Sequence, residues 1–429
     1  MDELELDFRV DRLGECEAAS PMKNVRFVGD DETVLYHGDW RQVKEIAAGG
    51  GEPPYFEMAG PRAKVFFDPR RLRCGIVTCG GLCPGLNNVV RAIVLGLYHH
   101  YGIRDIYGFR FGFEGLARKA GHVALELAPE TVADIDELGG TILGTSRGPQ
   151  DVGEMVDTLD RLGIGILFTV GGDGTLRGAA AVADEARRRG LQIAVIGIPK
   201  TIDNDISFVQ TSFGFETAVS EARRATRAAH SEATSARNGV GLVKLMGRES
   251  GFIAAVSVLA DANVNFCLVP EAPFSLEKFL PALRRRLERR SHAVIVVSEG
   301  AGQNLLQSTD QRDASGNVVF ADVGVFLRDK IKEYFKEIGV ALNLKYIDPS
   351  YTIRSTPPNA HDASFCLLLG QNAVHAAMAG RTSMVVGNWR GDFTHVPIRM
   401  AVSRRKKIDP EGRLWSSVLA STGQDKDLA

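Results

Sequence analysis

Short apolar runs alternate with amphipathic stretches along most of this chain, and the alternation predicts its architecture. The runs Cys74–Thr78, Ile164–Val170, Ile193–Ile198, Val240–Leu245 and Ala293–Ser298 are too short for helices and show no polar face. Such runs are expected of strands buried on both faces of a parallel sheet. Val385, Val386 and Gly387 mark a last strand. Between the runs, Val89, Val90, Ile93, Val94 and Leu97 recur at helical spacing, as do Leu176, Ala179, Ala180, Val182 and Ala183. Over Glu216–His230, the residues Ala218, Val219, Ala222, Ala225 and Ala229 fall on one side of a further helix. Strands separated by helices imply an α/β fold with doubly wound, mostly parallel sheets. At 429 residues the chain is too long for one small domain, so two lobes are expected. Residues 71–214, joined by 353–405, are expected to form one lobe and residues 215–352 the other. Residues 1–70 are irregular, with hints of short strands at Val25–Val28 and Val34–Tyr36 and a loop marked by Gly49-Gly50-Gly51 and Pro53-Pro54. They read as an N-terminal extension laid over the main body. Arg404-Arg405-Lys406-Lys407 opens a polar C-terminal tail, taken as residues 406–429.

Composition narrows the function classes. Apolar residues at 44% and charged residues at 24% are ordinary for a soluble globular protein. A net charge of −2 gives no reason to expect a nucleic-acid or membrane partner. No apolar run reaches membrane-spanning length, and the N-terminus MDELELDFRV lacks a hydrophobic signal core, so a cytoplasmic location is expected. Six cysteines in so long a chain do not make a disulfide framework, and Cys74, Cys267 and Cys366 sit in apolar runs as reduced thiols do. Cys79 and Cys83 are four apart, but no second pair or histidine at metal spacing follows them, so no zinc site is expected. The five arginines of Leu280–Arg290 read as the solvated face of an exposed helix.

The candidate chemistry lies where the strands end. Gly80-Gly81-Leu82-Cys83-Pro84-Gly85 is a glycine turn between a strand and a helix, which lets backbone N–H groups approach an anion. Gly171-Gly172-Asp173-Gly174-Thr175 places two glycines, a carboxylate and a hydroxyl at a helix start, a setting for a polyphosphate with magnesium. Gly139–Arg147 runs through small residues to an arginine. The most informative stretch is Pro199-Lys200-Thr201-Ile202-Asp203-Asn204-Asp205. Of two carboxylates two residues apart, one can act as a base while the other is held by hydrogen bonds or orients the first. Lys200 and Thr201 supply a charge and a donor suited to phosphate. Val240–Leu245 ends in Met246-Gly247-Arg248-Glu249-Ser250-Gly251, and Ala293–Ser298 ends in Glu299-Gly300. Lys345–Arg354 is short and rich in turn residues, with Tyr351 and Arg354 as candidate ligands. Six strands ending in Gly, Asp, Arg or Glu clusters on the same edges suggest one cleft, since open parallel sheets bind ligands outside the carboxyl ends of their strands.

GGLCPGLN, GGDGT, PKTIDND and MGRESG, in that order and spacing, resemble the 6-phosphofructokinase family over about residues 70–400. The extension ending in AGPRAKVFFDP is similar to that of the longer ATP-dependent branch in plants, trypanosomes and some bacteria. The resemblance implies that Asp203 is the base for the sugar's 1-hydroxyl, with Asp205, Thr201 and Arg248 assisting. It places the nucleotide phosphates and magnesium at Gly81, Arg147, Gly172, Asp173, Gly174, Thr175 and Lys200, with Asp173 as the metal ligand. It places fructose 6-phosphate at Thr201, Asp203, Met246, Gly247, Arg248, Glu299, Lys345, Tyr351 and Arg354. Two arginines that reach in from a neighbouring subunit in the short enzymes are here Gly239 and Lys345, and a lysine neutralises phosphate without a bidentate fork. Of two helix arginines that bind effectors in short bacterial enzymes, only Arg91 has a counterpart, Leu95 standing at the other position. The effectors of this allosteric family are therefore not carried over, and a homotetramer, with a dimer as the alternative, follows only by analogy.

The expected reaction is in-line transfer of the terminal phosphoryl group of ATP to fructose 6-phosphate, with magnesium and two lobes closing to exclude water. The alternatives are a pyrophosphate-dependent fructose 6-phosphate phosphotransferase and a non-catalytic sugar-phosphate sensor on the same fold. Lys200 is typical of pyrophosphate-dependent relatives, whereas Gly174 stands where those carry an aspartate. A carboxylate there would meet the nucleotide's α-phosphate, so Gly174 favours ATP.

Overall fold

The computed structural model describes residues 7–306, 311–312 and 318–428. The chain forms two compact units. The first takes the chain as far as Thr201, then Ile206–Gly214 and Pro357–Arg404; the second takes Ile202–Asp205, Phe215–Thr356 and the chain from Arg405. The chain thus changes unit inside the stretch that carries Asp203.

The first unit is built on a nine-stranded sheet. Asp105–Phe109, Arg73–Thr78, Ile164–Gly171, Ala194–Pro199 and Met384–Trp389 run parallel in that spatial order. Ala194–Pro199 is buried throughout, as expected of a strand covered on both faces by helices. Leu86–Leu95, Asp173–Arg188 and Ala360–Met378 are among the helices of this unit. Gly370 lets two of them touch, because a methyl there would lie 2.6 Å from the Ala92 Cβ.

Val25–Val28 is not a strand; its Val28 N–H donates to the Pro61 carbonyl at 2.9 Å instead. Val385–Gly387 does not mark the last strand. A turn at Arg390-Gly391, both with positive φ, returns the chain as the antiparallel strand Asp392–Pro397. Tyr55–Met58 and Thr33–Leu35 pair beyond it, so residues before 70 extend the main sheet. They also supply Glu57 and Asp30, which accept hydrogen bonds from the buried Arg381 at 2.9 and 2.7 Å. Burial opposes ionisation of Glu57, but His395 and Arg381 outweigh it and hold the carboxyl far below its ordinary range.

The second unit has a four-stranded, wholly parallel sheet in the order Phe266–Leu268, His292–Ser298, Gly239–Leu245, Asn343–Ile347. One face buries Val243 and Val294 with Ala218 and Ala222 of the helix Phe215–Thr234. The other buries Leu242 and Ile295 with Phe279 and Leu283 of Leu276–Arg290 and Leu327 of Val323–Glu337. Alternate residues of one strand thus serve opposite cores. The segment expected as a polar tail belongs to this unit and carries a helix, Arg413–Thr422, whose Trp415 and Val418 are buried. Lys345–Arg354, short and rich in turn residues, spans the end of an edge strand and a helix, Ser350–Ser355. Of the chemically marked strands, Arg73–Thr78, Ile164–Gly171 and Ala194–Pro199 lie in the first sheet and Gly239–Leu245 and His292–Ser298 in the second.

Candidate active site

In the first unit, parallel register sets Thr78 beside Val170 and Gly171 beside Pro199, so three consecutive loops emerge as neighbours. Gly80 has φ +83°; its N–H donates to Ser146 O at 3.1 Å, and its carbonyl accepts from Thr145 Oγ1 at 2.6 Å. The Thr78 hydroxyl donates to Gly144 O at 2.8 Å, fastening the 139–147 loop to the strand end. Arg147 is thereby held beside Gly81, where an added methyl would lie 3.4 Å from its Nη2. Lys200 donates from its backbone to Gly171 O at 2.9 Å and from Nζ to Gly81 O at 2.7 Å. The lysine bridges two glycine loops and keeps a cation beneath them.

Asp173 opens the helix Asp173–Arg188 behind Gly172, and its carboxylate accepts from Arg177 at 2.8 Å. Thr175 folds against Gly171, where any Cβ would collide with its hydroxyl at 2.2 Å. A Cβ at Gly174 would meet nothing within 4 Å. Gly81, Arg147, Gly172, Asp173, Gly174, Thr175 and Lys200 thus all lie in this unit, around a helix N-terminus that favours anions. Among the described residues no group of three His, Cys, Asp or Glu side chains is arranged to hold a metal. A single, mostly buried carboxylate at a helix start would suit magnesium of the kind held chiefly by substrate phosphates.

The second unit gathers the other candidates except Thr201. Gly247 has φ +124°, and a Cβ there would lie 2.5 Å from both Ser250 O and Ser298 Oγ, so the turn requires glycine. Glu299 N donates to Leu245 O at 2.9 Å and Gly300 N to Gly247 O at 3.0 Å, placing Arg248 and Glu299 on adjoining turns. The Arg248 guanidinium lies 4.6 Å from the Phe320 ring centre and donates to Val318 O at 2.6 Å. Arg354 lies 4.7 Å from the ring of Tyr351, which is 81% exposed. Burial raises the Glu299 carboxyl, against the pull of Arg248, Arg354 and Lys244. The Met246 side chain belongs to the core, so only its backbone is available to a ligand. Lys345 lies 4.0 Å from Glu232 with both side chains exposed, a weak pairing.

Asp203 and Asp205 have opposite surroundings. The Asp205 carboxylate pairs with Arg405, and its carbonyl accepts from Lys406 N at 2.8 Å. Asp203 retains some exposure, but its Oδ1 is shut off from solvent without a hydrogen-bond partner. Its Oδ2 has a long contact, 3.5 Å, with Arg248 N. Burial, then the negative charges of Asp205 and Glu299, hold the Asp203 carboxyl well above the ordinary range; Arg248 N–H and Arg405 oppose them. Thr201 accepts from Ser212 at its carbonyl, 2.5 Å, within the first unit.

The model of the phosphofructokinase family matches residues 73–377. The chain belongs to the phosphofructokinase family. An ATP-dependent 6-phosphofructokinase from Borreliella burgdorferi is 48% identical, aligned over 98% of this chain and 97% of that one. One of the same name from Trypanosoma brucei brucei is 46% identical over 99% of this chain and 89% of that one. A solved pyrophosphate-dependent phosphofructokinase from Marinobacter aquaeolei superposes with a TM-score of 0.68 at 21% identity, covering 82% of this chain and 91% of that one. At that identity it shows the shared phosphofructokinase fold and does not bear on the donor.

Three residues at these sites lie outside the sequence reading. Arg405 and Lys406 sit in a polar run of the sequence, yet Arg405 pairs with Asp205 and Lys406 Nζ donates to Asn204 Oδ1 at 3.2 Å. Lys244 lies within the apolar strand Gly239–Leu245. The available signal was its charge inside an apolar run, since a cation there requires partners. Arg91 lies 3.5 Å from Asp136 and donates to Ala133 O at 3.3 Å.

Proposed function

We propose that this phosphofructokinase transfers the γ-phosphoryl group of ATP to the 1-hydroxyl of fructose 6-phosphate, giving fructose 1,6-bisphosphate and ADP in glycolysis. The observation that carries the reading is Asp203: a carboxylate of raised proton affinity whose Oδ1 has no hydrogen-bond partner. It takes the hydroxyl proton as the oxygen attacks phosphorus, and the bond from phosphorus to the ADP oxygen breaks. Asp205, held by Arg405, places a negative charge that raises the basicity of Asp203. Arg248 and Arg354 bind the 6-phosphate, with Glu299 accepting from a sugar hydroxyl. On the donor side, the glycine-loop N–H groups, Arg147 and Lys200 offset phosphate charge. Magnesium, bound with the nucleotide and Asp173, would spread charge over the phosphate oxygens.

ATP is favoured as donor by the open space at Gly174 and by the names of the relatives matched along nearly their whole length. Among the described residues no helix is long and apolar enough to cross a membrane. A cytoplasmic, homo-oligomeric enzyme completes the proposal; six cysteines outside disulfides suit a reducing compartment, and sedimentation reads the assembly. Initial rates with fructose 6-phosphate and either ATP–magnesium or pyrophosphate test the function. Turnover with clear ATP preference is expected. A preference for pyrophosphate would overturn the donor, and no turnover with either would overturn the reaction.

A further inference from the structure

Lys244 is a charged side chain in a strand that is otherwise buried, Gly239–Leu245, four residues before Arg248. Its Nζ lies 2.8 Å from Asp322 Oδ2 and 2.8 Å from Asp348 Oδ2. Each carboxylate anchors a different element. Asp322 caps the helix Val323–Glu337 by accepting from Val325 N at 3.0 Å. Asp348 accepts from the N–H of Ser350 at 3.1 Å and from its hydroxyl at 2.5 Å, fixing the start of the helix that carries Tyr351 and Arg354. With only six residues, that helix has little stability of its own and depends on such anchors. Arg248 in turn leans on the segment leading into Asp322, through Val318 O and the Phe320 ring.

We infer that Lys244 is a positioning residue of the sugar-phosphate site: it ties the Arg248 strand end to the Arg354 helix and neutralises two carboxylates close to a bound dianion. The inference rests on the proposed reaction and adds a residue to it. Two costs follow from removing the ammonium. The Arg354 helix loses its tie to the sheet, and Asp322 and Asp348 become a pair of uncompensated negative charges that repel phosphate. Burial works against the Lys244 charge, yet the two carboxylates keep it protonated at every physiological pH. The device therefore does not switch with pH.

The test is steady-state kinetics of the full-length enzyme carrying Lys244→Met, with melting temperature measured alongside. The KM for fructose 6-phosphate is expected to rise about tenfold or more, the worth of one charge-assisted contact, with the KM for ATP within about twofold. Lys244→Arg should recover most of the loss. In Lys244→Met/Asp348→Asn, removing one excess charge should lower that KM relative to Lys244→Met alone. A purely structural role would raise both KM values or lower kcat alone, and either pattern in an active variant overturns the inference, as does an unchanged KM for fructose 6-phosphate. Should Lys244→Met not fold, Asp348→Asn alone carries the test. It should raise the KM for fructose 6-phosphate about threefold by releasing Ser350, and no rise overturns the inference. A wild-type protein inactive on fructose 6-phosphate would overturn the functional reading and this one together, whereas an active wild type with an indifferent variant overturns only the role of Lys244.

Discussion

The candidate donor region of the first unit and the candidate acceptor region of the second are built from different materials. Donor loops are held largely by their own main chains: Gly80 to Ser146, Lys200 to Gly171 and Thr145 to Gly80 are bonds to backbone atoms. Around the candidate acceptor residues, charged side chains pair with one another: Asp205 with Arg405, and Asp322 and Asp348 with Lys244. A polyphosphate is met well by N–H groups and a helix end, which need glycine more than charge. A base beside a sugar phosphate needs its proton affinity tuned, and neighbouring charges do that. Damage should therefore take different forms in the two units.

The largest effect is expected at the base. Asp203→Asn should lower kcat by about 10²–10⁴-fold while both KM values change far less. Retention of more than about a tenth of kcat would remove Asp203 from that role. Next come glycines of different standing. Gly247→Ala must strain a left-handed turn and press on Ser250 O, so it should cost about 1–3 kcal/mol of stability, read by denaturant melts. Gly174→Ala faces open space and should leave stability near wild type. Equal losses would show that the contrast between a required and a tolerant glycine is wrong.

Charge tuning in the acceptor region should also show in pH profiles. A base works deprotonated, so activity should fall as pH falls through the raised pKa of Asp203. The acid limb of kcat/KM for fructose 6-phosphate should then lie nearer neutrality than an ordinary carboxylate's, and Asp205→Asn should move it to lower pH. An unmoved limb would separate the two carboxylates. The smallest effect is on stability. A carboxyl whose folded pKa is raised binds more protons folded than unfolded, so its contribution is full at low pH and lost as pH rises through the folded pKa. Asp203→Asn should therefore melt higher than wild type, by a margin that widens from pH 5 to pH 8.

What was legible in the sequence follows the same division. Buried strands and glycine loops are local signals, so Arg73–Thr78, Ile164–Gly171 and Ala194–Pro199 could be placed, with the residues that follow them. Asp203 and Asp205 stood out because two carboxylates follow a buried strand. Arg405 did not, because its partner lies 200 residues away and a run of four cations near the C-terminus looks like solvated surface. Lys244 finds its carboxylates at positions 322 and 348, a pairing that only the sheet order creates. The short helix Ser350–Ser355 has too few residues to show a period, and the edge strand Asn343–Ile347 lacks an apolar run.

The most direct test of the division between the two regions is a crossed measurement of KM on Gly174→Asp and Arg354→Ala. A carboxylate at position 174 should repel the nucleotide and raise the KM for ATP about tenfold or more, leaving that for fructose 6-phosphate near wild type. Loss of the Arg354 guanidinium should raise the KM for fructose 6-phosphate about tenfold or more and leave that for ATP near wild type. If both variants raise the same KM, donor and acceptor are not divided between the units as described.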